Sequence, residues 1–132
     1  LDPFALGCGH RARRPPIVFG MSIQPVPAFE PPYLMTVFTS VRTENPDGYG
    51  ETSVRMNELV KDIPGYLGHE NAHTPGGLSI TVAYFRDEES LQVWRTNLEH
   101  QQAQKKGRTD WYESYTLHVG RVERSHGFVR GA

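Results

Sequence analysis

Seven of the ten prolines fall within residues 1–32, and only Pro46, Pro64 and Pro75 follow. Proline fixes φ and removes an amide donor, so the first segment can be neither a helix nor an interior strand. It reads as an extended arm carrying a small basic cluster, Arg11, Arg13 and Arg14. The folded unit is thereby confined to residues 33–132. The chain begins at Leu1, and Met21 would suit a natural start. Residues 1–20 are therefore expected to be a leader or an upstream extension; the rival reading is an arm that wraps a partner subunit.

Composition narrows the function classes. Fourteen basic residues face fifteen acidic ones, a formal net charge of −1, which argues against a nucleic-acid or anionic-membrane partner. The single cysteine, Cys8, excludes an internal disulfide framework and a multi-cysteine metal site, and fits a reducing, cytoplasmic setting. No apolar run approaches the roughly 18 residues of a spanning helix. Hydrophobic residues at 37% suffice for one core.

From Tyr33 the pattern becomes regular. Tyr33–Arg42 is rich in β-branched and aromatic residues and partly apolar on both faces. Asn45 or Asp47 can cap a helix with Pro46 in its first turn, and Met56, Leu59, Val60 and Ile63 recur at helical spacing before Pro64-Gly65. Tyr66–His73 and Leu78–Phe85 predict a hairpin across Thr74-Pro75-Gly76-Gly77. Asp87 predicts the cap of a second helix. Glu88 and Glu89 open it, Lys105 and Lys106 close it, and Gly107 stops it. Trp111 to Arg124 predicts the last strand.

The order β-α-β-β-α-β predicts an α+β, ferredoxin-like fold with a four-stranded antiparallel sheet. Two helices cover one face of that sheet. The other face is still apolar, and a second copy placed back to back would bury it, so the patterning predicts a homodimer.

The chain resembles the antibiotic biosynthesis monooxygenase (ABM) superfamily of dimeric α+β barrels, and a bacterial branch of it in particular. The residues that carry the resemblance include Phe38-Thr-Ser-Val-Arg-Thr43, Pro64-Gly-Tyr-Leu-Gly68, Ile80-Thr-Val-Ala-Tyr84, Trp94-Arg95 through His100 to Ala103-Gln104, and Arg121-Val-Glu-Arg124. The resemblance implies a pocket between sheet and helices, and a small apolar or aromatic ligand. Its functions span cofactor-free oxygenases of quinol-type substrates, haem-degrading enzymes and non-catalytic binding dimers, and fold alone does not choose among them.

On one continuous second helix, Trp94, Asn97 and His100 fan over about 120° beside the apolar row Leu91, Trp94, Leu98, with Gln104 one turn further on. A few polar groups bordering an apolar stripe suit a small-molecule pocket; they equally suit the edge where a helix meets water. Catalytic roles are expected for His100 as general base, Trp94 as a stacking ring and Asn97 as an oxyanion donor. Substrate contacts are expected from Gln104, Arg42 and Thr39. The resemblance places a tryptophan and a hydrogen-bonding aromatic six residues later in the pocket, and Trp94 and His100 fill those slots. Haem-degrading relatives place their axial histidine nine or ten residues after the tryptophan, where Ala103 and Gln104 stand here. No cofactor and no metal is therefore expected. His69 and His73 would lie about 13 Å apart along one strand face, too far for a simple shared metal.

Overall fold

The computed structural model describes residues 24–131. The arginine cluster and the expectation for residues 1–20 lie outside the described residues. The elements are β1 (Tyr33–Arg42), α1 (Tyr49–Val60), β2 (Tyr66–His73), β3 (Leu78–Phe85), α2 (Glu88–Arg95), α3 (Leu98–Lys106), a π-helical turn (Gly107–Trp111) and β4 (Tyr112–Val122). The four strands form one antiparallel sheet in the order β2-β3-β1-β4. The fold is the ferredoxin-like α+β arrangement that the element order predicts.

Register places four rows of side chains on the helix-facing side. In the order β2, β3, β1, β4 they are Tyr66–Phe85–Leu34–Arg121, His69–Ala83–Thr36–Val119, Asn71–Thr81–Phe38–Leu117 and His73–Ser79–Ser40–Tyr115. Leu34 and Phe85 of the first row meet Val60 of α1 and Leu91 of α2 in the buried core, with Ile63, Tyr66, Ala83 and Trp94 packed around them. The core therefore sits at one end of the sheet, and the far rows are polar and aromatic.

Three local features differ from the expectation. Gly107 does not stop the second helix but continues in helical geometry, φ −58° and ψ −46°, into the π-helical turn. The second helix is not continuous. Thr96 leaves helical geometry at φ −96°, ψ 1°, and Asn97 is extended at φ −63°, ψ 125°. The Asn97 carboxamide oxygen then accepts from His100 N at 3.0 Å and caps a new helix. Threonine is a weak helix former and asparagine competes for backbone donors, so this dipeptide favours a cap over a through-going turn. At the start of α1, neither Asn45 nor Asp47 caps by side chain. Gly48 precedes the helix at φ +82°, a left-handed conformation that glycine adopts without strain. The Asp87 cap does form, as a reciprocal pair with Ser90 at 2.9 and 3.3 Å.

Residues 26–32 lie against the outer side of the sheet, away from the helices. Phe29 meets Tyr33 edge-on at 5.5 Å and Tyr84 at 6.0 Å. Glu70 accepts from Val26 N at 3.0 Å and from the Tyr84 hydroxyl at 2.8 Å. Ser125 Oγ donates to Phe29 O at 2.6 Å. The other end of that face is bare: Leu78 is 53% exposed and Ile80 38%. A shallow depression of about 190 Å³, lined by Thr39, Val41, Leu78, Ser114 and Thr116 among others, lies beside them.

Candidate functional site

Two groups of side chains occupy opposite ends of the helix-facing side. At the core end, Trp94 closes α2 and packs against the Leu34–Phe85 cluster. The break at Asn97 turns α3 back so that the His100 ring stacks on the Trp94 indole. The centroids are 4.0 Å apart and the planes 15° apart. His100 Nδ1 lies 3.0 Å from Trp94 O. A carbonyl only accepts, so Nδ1 carries the proton and Nε2 the lone pair. Burial holds the imidazole below its ordinary value near 6.5, against the opposing pull of that hydrogen bond. The result is a neutral imidazole of fixed tautomer. Arg55 of α1 grips Glu99 with two bonds of 2.9 Å, tying α3 to α1 one residue before His100.

At the far end, Arg42 leaves β1 and reaches across the fourth row. Its Nη2 lies 3.2 Å from the Tyr49 hydroxyl and 3.4 Å from Ser79 Oγ, and the guanidinium sits 4.0 Å over the Tyr49 ring. His73 flanks the same Ser79 from β2. Tyr112 and Tyr115 pack with Phe38 beside them, at centroid distances of 5.4 and 5.1 Å. Burial first, then the neighbouring Tyr49, raises the Tyr112 phenol above its ordinary range. Trp111 Nε1 donates to Asp47 O at 2.7 Å and fixes the π-helical turn against the loop before α1.

At the core end of β2, the Tyr66 hydroxyl bonds to His69 Nδ1. Burial pushes the Tyr66 phenol up to about 12 and the His69 imidazole down, with Lys61 adding to the latter. A neutral phenol therefore donates to a neutral imidazole. The sequence offers His69 only as a metal ligand. Among the described residues no group of three or more His, Cys, Asp and Glu side chains could hold a metal ion.

The structure distributes the expected site residues unevenly. Trp94 and His100 meet, and Asn97 joins them through its cap. Because the imidazole covers one face of the indole, that face offers no room for a substrate ring. Gln104 is exposed on α3. Thr39 faces the outer side of the sheet, opposite to Arg42, because residues three apart on a strand point to opposite faces. The sequence offers His73 only as a metal partner of His69; the register that sets it beside Ser79 is not a local property of sequence.

No model of a protein family matches the chain. Over 99 residues it is 46% identical to the uncharacterized protein YqjZ of Bacillus subtilis, covering 75% of this chain and 87% of that protein. Over 93 residues it is 36% identical to the jasmonate monooxygenase ABM of Pyricularia oryzae, covering 69% of this chain but only 36% of the fungal protein. Among solved structures, SnoaB, a cofactor-independent oxygenase from Streptomyces nogalater, superposes with a TM-score of 0.60 at 9% identity. That match covers 71% of this chain and 96% of SnoaB. The chain belongs to the antibiotic biosynthesis monooxygenase superfamily. This ABM protein has a stacked tryptophan and histidine at the core end of its sheet and a half-buried arginine at the other. Among the described residues no helix is long and apolar enough to cross a membrane.

Proposed function

We propose that the chain is a cofactor-free monooxygenase acting on a small aromatic or quinol-type substrate, and that it works as a homodimer. The observation that carries this reading is the neutral His100 with Nδ1 committed to Trp94 O and Nε2 left as a base. Nε2 takes a proton from the substrate's hydroxyl or activated CH₂. The resulting anion is electron-rich enough to give an electron to oxygen. Recombination forms a carbon–oxygen bond as a hydroperoxide. Loss of a second C–H proton and cleavage of the O–O bond release water, so that R₂CH₂ and O₂ give R₂C=O and H₂O. The protein supplies the base and the apolar surroundings. Asn97 spends its carboxamide oxygen on the His100 amide, and its NH₂ is the group that remains to donate to an oxyanion.

Trp94 orients the base in this reading. The substrate ring lies against Thr36, Phe38, Leu117 and Val119, of which Leu117 is 49% and Val119 53% exposed on the helix-facing side. The likeness to SnoaB and to the jasmonate monooxygenase supports oxygenase chemistry without naming a substrate. The bare Leu78–Ile80 end of the outer face supports the dimer.

Oxygen uptake with a panel of hydroxyanthrones and quinols tests the activity. Uptake that depends on the protein and is lost in His100→Gln is expected. Ligand binding without uptake across the panel would favour a non-catalytic binding dimer. Sedimentation equilibrium at micromolar concentration should give twice the 14.9 kDa chain mass.

A further inference from the structure

Arg42 Nε and His73 Nδ1 are buried and, among the described residues, have no hydrogen-bond partner. Buried polar atoms without partners are uncommon, because each carries its full desolvation cost. These two arrive from different strands. They flank one residue, Ser79, on the helix-facing side of the sheet. Among the described residues no carboxylate pairs with Arg42; its guanidinium has only two hydroxyls and the face of Tyr49. A half-buried positive charge is thus left uncompensated beside two unspent nitrogens.

We propose that Arg42 and His73 bind the carboxylate of an organic acid whose apolar body lies along the sheet toward Trp94. This rests on the reading that the helix-facing side holds the substrate, and it names that substrate's class. One carboxylate oxygen accepts from Arg42 Nε–H and the other from His73 Nδ1–H. Burial and the Arg42 charge hold His73 below its ordinary pKa, and the neutral Nδ1–H tautomer is a sufficient donor. One guanidinium and one neutral imidazole match a single negative charge better than a phosphate dianion. The Leu34 row, where Trp94 packs, and the Ser40 row are six residues apart, about 20 Å along the strand. An acid held at Arg42 therefore reaches His100 only if its body is extended.

The probes are ω-phenylalkanoates from phenylacetate to 8-phenyloctanoate, each paired with the alcohol of the same length, and binding is measured by titration calorimetry. In the wild-type protein the acids should bind at least about ten-fold tighter than their alcohols, the size of a charge-assisted hydrogen bond. Longer chains should bind better than phenylacetate. Arg42→Gln and His73→Gln should each shrink the acid preference; His73→Gln keeps the test sound if loss of the Arg42 contacts unfolds the chain. Equal binding of acids and alcohols, no binding of either, or a preference that survives both substitutions would overturn the proposal. Oxygen uptake is read separately. Acid-selective binding without uptake leaves the subsite standing and removes the oxygenase reading. Uptake from neutral quinols with no acid preference does the reverse.

Discussion

The His100 imidazole lies flat on the Trp94 indole, 4.0 Å between centroids, while its Nδ1 donates to the carbonyl of the same residue. One residue thus supplies both the surface that holds the ring and the acceptor that fixes its tautomer. The two substitutions should separate cleanly. His100→Gln removes the base and should cost about 10²–10⁴-fold in turnover with little change in Tm. Trp94→Ala removes a ring packed on the core, and should cost about 3–5 kcal/mol of stability, less to the extent that the ring is exposed. Full oxygen uptake in His100→Gln on a substrate that the wild type consumes would end the general-base role.

Three imidazoles, His69, His73 and His100, are held below the ordinary value near 6.5, each chiefly by burial. The unfolded chain therefore binds protons at a higher pH than the folded one. Stability from these groups is complete above about pH 6.5 and is lost as pH falls through their lower folded-state values. Urea unfolding at pH 7.5, 6.0 and 5.0 should show this decline. It should be shallower in His69→Gln and in His100→Gln than in the wild type. Parallel curves for all three proteins would show that these histidines ionise alike in both states.

The outer-face segment makes a separate stability prediction. Phe29 fills the angle between Tyr33 and Tyr84, and its carbonyl takes the Ser125 hydroxyl. Phe29→Ala should destabilise the fold by about 1–3 kcal/mol, below the range for a fully buried ring because Phe29 is half-buried. A melting temperature unchanged by this substitution would mean that the segment contributes nothing to the domain.

Much of this arrangement is legible in the sequence, and the reasons for the rest are physical. The strands Tyr33–Arg42, Tyr66–His73 and Leu78–Phe85 follow from alternation and turn residues, and the Asp87–Ser90 cap from local chemistry. The opposite orientations of Thr39 and Arg42 were available from strand alternation and outweighed by their closeness in sequence. The helix break was harder to see, because Asn97 fits a helical row as well as a cap, and acid–base charge at both ends favours one long helix. The placement of Arg42 and His73 on either side of Ser79 depends on register across three strands, which no local pattern encodes. Leu67 likewise interrupts the register between Tyr66 and Gly68, so that Tyr66 and His69, three residues apart, still reach each other.

Asn97 carries the last prediction, because it sets where His100 points. Its side chain accepts from the His100 amide and ends one helix in order to begin the next. Asn97→Ala should cost about 1 kcal/mol, the worth of a cap. It should also remove the penalty against a continuous helix. A through-going helix turns about 100° per residue, which would carry His100 off the indole and out of its bond to Trp94 O. Stability alone would not reveal this, so the readout is the His100 imidazole itself, followed by NMR titration. In Asn97→Ala its pKa should rise toward the ordinary value as burial is lost, and oxygen uptake should fall with it. Asn97→Ser keeps a capping oxygen and should hold both near wild type. Equal behaviour of the alanine and serine variants would mean that the cap does not position His100.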